Sequence, residues 1–117
     1  MKHGFNAVEI SVLCVTLPTL LNVHKLTNSV IDCLMIDAEG CDAEIIMSTN
    51  FSSLNIDHIL FEHVHTDGHA TVGRQFFEVM RRLNSYGYTR FKVFDKIEST
   101  LIAKQGAEWN YVFDRFS

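Results

Sequence analysis

The sequence predicts an α/β domain with a largely parallel sheet and one antiparallel hairpin at its end. Three observations carry that expectation. Extended runs rich in Val, Ile and Leu alternate with segments of helical periodicity, which implies right-handed crossovers between strands. The run "VIDCLMID" (30–37) is apolar almost without a break, the pattern of a strand buried on both faces. The extended runs 88–95 and 99–105 follow one another so closely that a hairpin must join them. A chain of 117 residues has room for one such domain over 1–117 and little more.

Residues 7–16 ("AVEISVLCVT") alternate and are rich in Val, so they read as the first strand. "LPTLLNVHKL" reads as a short helix, with Thr16 as N-cap and Pro18 tolerated in the first turn. The strand 30–37 follows. "CDAEIIMSTNF" (41–51) reads as a helix with Asp42 as N-cap and Glu44 in its first turn. "IDHILFEHVH" (56–65) is the next strand. From Thr71 to Tyr86, Val72, Phe76, Met80 and Leu83 recur at helical spacing, and Gly87 stands where a C-terminal cap belongs. Phe76 and Phe77 read as core. The closing hairpin leads to an aromatic-rich end, "WNYVFDRF", either a last short strand or a packing tail.

Composition narrows the function. Hydrophobic residues make up 47% and charged ones 21%, ordinary for a globular domain. The net charge of −4 and the lack of any basic cluster beyond Arg81 and Arg82 argue against nucleic acid as a partner. Three cysteines without C-x-x-C spacing do not make a disulfide framework or a cysteine zinc site, which points to a reducing, cytoplasmic location. Cys14 and Cys33 lie in apolar runs and read as small core residues. The apolar run 10–21 follows Glu9, is broken by Pro18 and precedes no A-x-A-like site, so neither a leader nor a membrane partner is expected. G-x-G-x-x-G, P-loop, G-x-S-x-G and H-E-x-x-H patterns are all missing.

The chemistry-bearing residues gather around "IDAEGCDAEII". In open α/β sheets ligands sit outside the carboxyl ends of the strands. Asp37 ends the strand 30–37 and Glu62 nearly ends the strand 56–63, so neighbouring strands would aim both carboxylates at one crevice, joined by Glu39, His63 and His65. Gly40 allows a tight turn and close approach of a ligand to the backbone. The same residues also suit a plain turn followed by a helix cap, and D-x-E-G alone does not decide between the two. His63 and His65 share a strand face by the period of two, and with Asp37 or Glu39 would form a metal site; no spacing here is diagnostic of one, and no metal ligand is assigned.

The ordered set "VTLPTLL", "IDCLMIDAEGCDAEII", "FSSLNIDHILFEHVH", "YGYTRF" and "FDKIESTLIA" resembles the FkbM-type methyltransferases over about residues 10–104. The resemblance implies an S-adenosylmethionine-dependent enzyme with a Rossmann-like sheet, of which these would be the fourth to seventh strands. It implies Asp37, Glu39 and Gly40 on the cofactor side and Asp37, Glu62 and His63 as catalytic residues, with His63 or Glu62 as base. Met35 stands where the family has a lysine. The family's glycine-rich loop and its ribose-binding acid would both precede Met1, so the expectation is the C-terminal half of a methyltransferase domain, inactive by itself.

Three readings follow. The first is an O-methyltransferase, or part of one, acting on a sugar, lipid or small-molecule hydroxyl. The second is a non-catalytic interaction module derived from such an enzyme. The third is a small metal-binding α/β protein. Because 30–37 would lack its usual neighbour, self-association through that strand is also expected.

Overall fold

A computed structural model describes residues 7–38, 40–63 and 75–108. It is a small α/β fold with the helices α1 (Leu17–Val23), α2 (Asp42–Ser48) and α3 (Phe76–Ser85) and the strands β1 (Ile31–Ile36), β2 (Ile56–Glu62), β3 (Tyr88–Phe94) and β4 (Ser99–Lys104). The sheet order is β1-β2-β4-β3. β1 and β2 pair in parallel, whereas β4 is antiparallel to both β2 and β3.

Two expectations change here. By its pairings the sheet is mixed rather than largely parallel, and the antiparallel strand lies inside it rather than at an edge. Burial explains the order. Ser99, Thr100, Leu101, Ile102 and Ala103 are all buried, so β4 needs a neighbour on both sides. β3 alternates buried ends with exposed Thr89, Phe91 and Val93, which suits an edge. The hairpin turns through Asp95–Ile97, with Glu98 at φ 50°.

Residues 7–16 do not form a strand. They lack regular secondary structure, and Val8, Ile10, Val12 and Leu13 are largely exposed. Alternation favours a strand only where one face meets a core and a neighbour supplies hydrogen bonds, and among the described residues none pairs with this segment. β1 is therefore an edge strand among the described residues. Cys14 is exposed, against expectation, and Cys33 is half-buried.

α1 begins at Thr16, whose Oγ1 accepts the Thr19 N–H at 3.3 Å, and Pro18 occupies its first turn. The helix buries no residue fully, but Leu17 and Leu21 lie against the core. α3 buries Val79, Met80 and Leu83; Phe76 is partly buried, whereas Phe77 is exposed. Val72 lies outside the described residues. Gly87 follows the C-cap Tyr86 at φ 93°, and its N–H reaches the Asn84 carbonyl at 3.0 Å. Arg82 reaches across from α3, donating from Nε to the Ile46 carbonyl at 3.1 Å and from Nη2 to the Thr49 carbonyl at 2.9 Å. These carbonyls belong to the end of α2, where helical partners run out.

The main core sits between the helices and one sheet face and includes Ile36, Ile46, Phe51, Ile59, Phe61 and Leu83. Residues of opposite parity, Leu60, Phe94 and Leu101, form a smaller cluster on the other face, with Cys33 against it. Burial, reinforced by Asp32, raises the Cys33 thiol pKa to about 11. No described helix is long and apolar enough to cross a membrane.

Candidate functional site

The parallel register sets Ile36 opposite Phe61, so one step further Asp37 and Glu62 end neighbouring strands side by side. Asp37 is exposed. Glu62 is half-buried, with its Oε1 sheltered from solvent. After Asp37 the chain turns at once: the Cys41 N–H donates to the Ala38 carbonyl at 3.1 Å, and Gly40 sits at φ 97°, the third position of that turn. A positive φ there calls for glycine on conformational grounds alone.

Asp42 is not the N-cap of α2. Cys41 holds that position, without a side-chain bond, and Asp42 is the first helical residue. Its carboxylate is fully buried and turned back toward the sheet. Oδ1 accepts the Ala38 N–H at 2.9 Å and Oδ2 accepts the Glu62 N–H at 3.0 Å. A buried carboxylate is tolerated when charge-assisted hydrogen bonds replace its water, and here the two donors come from the ends of two different strands. Asp42 thus clamps the carboxyl ends of β1 and β2 together.

His63 follows β2. Its N–H donates to the Glu98 carbonyl at 2.9 Å, and Nδ1 lies 3.0 Å from Oγ1 of the buried Thr100. Ring and backbone are both tied to β4 and its preceding turn. Glu39 and His65 lie outside the described residues, and no group of metal-binding side chains is found among those described.

Beside Asp37 lies a mainly apolar groove of about 640 Å³, between the chain entering α1, the end of β1 and α2. Thr16, Pro18, Met35, Asp37, Ile45 and Asn50 are among its walls.

The positions of Asp42 and Thr100 are not legible from sequence pattern alone. An Asp before an apolar helical run reads as a local cap, and nothing in the sequence reports a bond to Glu62 twenty residues away. The run "STLIA" carried the only signal for Thr100, by marking β4 as a strand buried on both faces.

The described residues form a small α/β fold with a four-stranded mixed sheet, and Asp37, Glu62 and His63 lie where its two parallel strands end. The model of the methyltransferase FkbM domain matches residues 1–90, which include Asp37, Asp42, Glu62 and His63. The chain belongs to the FkbM methyltransferase family. Comparison with curated proteins and with solved structures gave no match.

Proposed function

We propose that this chain carries the acceptor side of an S-adenosylmethionine-dependent methyltransferase site, for O-methyl transfer to a sugar, lipid or small-molecule hydroxyl. The observation that supports it most is the juxtaposition of Asp37 with Glu62 and His63 at the ends of two parallel strands, clamped by Asp42. The three strands β1, β2 and β3 run in one direction, as fourth, fifth and sixth strands of a Rossmann-like sheet would, with β4 returning against them.

The groove beside Asp37 has a volume suited to a nucleoside-sized ligand, apolar walls for a ring and one carboxylate at its rim for hydroxyl groups. Asp37 would hold the cofactor there, and the family resemblance assigns Glu39 and Gly40, next in the sequence, to the same task. Bound, it would supply an electrophilic methyl group. The rest falls to the chain's own residues. Nδ1 of His63 is engaged with Thr100, so Nε2 is the nitrogen that would take a proton from an acceptor hydroxyl. Glu62 and Asp37 would orient that hydroxyl, since a displacement in line with the methyl group needs the acceptor oxygen held in register.

The sequence has no glycine-rich nucleotide loop, so only one wall of a cofactor pocket is expected from this chain. Isothermal titration with S-adenosylmethionine tests that reading. The expected outcome is binding weaker than about 100 μM, equivalent to less than about 5.5 kcal/mol. Micromolar affinity would contradict the one-walled site.

A further inference from the structure

We propose that His58 is a proton-gated clasp, which in its doubly protonated form ties residues 105–108 to β1 across the second face of the sheet and releases them on deprotonation. The proposal is independent of the methyltransferase reading.

His58 is only 2% exposed, although it sits in the middle of β2. Its Nδ1 lies 2.9 Å from the carbonyl oxygen of Asp32, and its Nε2 lies 2.9 Å from the carbonyl oxygen of Glu108. Both partners are backbone carbonyls, which only accept. A neutral imidazole has a single N–H, so it can satisfy one of these contacts and must turn a lone pair toward the other. Only the imidazolium donates to both. A buried positive charge needs a counter-charge, and Oδ1 of Asp32 lies 3.5 Å from Nδ1.

The clasped segment is positioned by the fold. After β4 the chain reverses at Gly106, at φ 87°, where the Ala107 N–H donates to the Lys104 carbonyl at 3.1 Å. Arg90 holds the Ala107 carbonyl through Nη1. The register aligns Cys33, His58, Ala103 and Arg90 in one row across the four strands. His58 and Arg90 therefore stand on either side of Ala103 and hold the returning segment at adjacent carbonyls.

The charged groups on the surrounding elements are Asp32 on β1, Asp57 and Glu62 on β2, Arg90 and Lys92 on β3, Lys104 on β4 and Glu108 on the segment itself. Asp32 draws the proton to Nδ1, where a carbonyl and a carboxylate of the same residue face the ring. Cys33 in the same row stays a neutral thiol through the range in which histidines titrate, because its pKa is raised to about 11. When one proton leaves, it leaves from Nε2, and the lone pair then repels the Glu108 carbonyl. The clasp is closed while both ring nitrogens carry protons and opens when the Nε2 proton is lost.

The test uses the full chain, labelled with ¹⁵N. Ring-nitrogen spectra of His58 and exchange of the Ala107 amide, corrected for the intrinsic pH dependence, are followed from pH 5 to pH 8.5. The expected result is a ring protonated on both nitrogens at the acid end. Loss of the Nε2 proton then coincides with at least about tenfold faster Ala107 exchange, the scale of one charge-assisted hydrogen bond. His58→Gln, which has one donating end, should exchange fast at all these pH values, and Asp32→Asn should move the step to lower pH. A His58 ring carrying a single proton at pH 5 with Ala107 still protected would overturn the proposal. So would a titration of His58 that leaves Ala107 exchange unchanged. Both readouts come from the unaltered chain, so they stand even where a variant fails to fold.

Discussion

Asp42 accepts the backbone N–H of Glu62 at 3.0 Å through one carboxylate oxygen, while its other oxygen holds the Ala38 N–H at 2.9 Å. One buried side chain at the start of α2 thereby fixes the spacing of two strand ends, and with them Asp37 and Glu62. Asp42→Asn keeps the shape but sets an N–H₂ group against one of two backbone donors. A loss of about 2–4 kcal/mol is expected, because a buried donor loses its acceptor. Urea denaturation of the variant checks it; a change below about 0.5 kcal/mol, the scale of an ordinary surface substitution, would mean the clamp does not hold the strands.

Arg82 joins α3 to the end of α2 through the Ile46 and Thr49 carbonyls, and its guanidinium lies 5.4 Å from the Tyr86 ring centroid. Arg82→Met retains most of the stem but leaves both carbonyls without this donor. Thermal unfolding should show a destabilisation of about 1–3 kcal/mol. Arg82→Lys should recover only part of it, since an ammonium lacks the planar fork that reaches two carbonyls at once.

At Gly87 the backbone has φ 93°, and a Cβ placed there would touch nothing within 4 Å. Any cost of Gly87→Ala is therefore conformational rather than steric crowding. The expected destabilisation is about 1–2 kcal/mol, the left-handed penalty for an L-residue. Measured values near zero would mean the turn relaxes away from the left-handed region.

The three thiols should separate by reactivity. Cys33 has its pKa raised to about 11, so at pH 8 about 0.1% of it is thiolate. Cys14 and Cys41 are exposed. A mild thiol reagent followed by mass spectrometry of peptides should label Cys14 and Cys41 first. Because the raised pKa favours the neutral thiol, Cys33 labelling should increase as pH approaches 11.

Much of the fold was legible because it depends on local periodicity. α1 with its Thr16 cap, β1, β2 and the β3–β4 hairpin appear close to where their patterns put them. What was misread depends on distant partners. Residues 7–16 have the alternation of a strand but no neighbour among the described residues. The place of β4 inside the sheet follows from which hairpin strand is buried on both sides, a property visible in "STLIA" against the alternating "YTRFKVF". At the site, Asp37 and Glu62 could be read as strand ends, whereas the inward turn of Asp42 could not, because its partner lies on another strand.

The proposed methyltransferase site lies at the strand ends carrying Asp37, Glu62 and His63. The most direct measurement is an amide chemical-shift map of the labelled chain during titration with S-adenosylmethionine to millimolar concentration, which registers weak binding. Progressive, saturating shifts are expected at Asp37, Ala38, Gly40, Glu62 and His63, with the exposed face of α3 unmoved. Shifts centred on α3 or β3, or none at the strand ends at millimolar ligand, would contradict the proposed site.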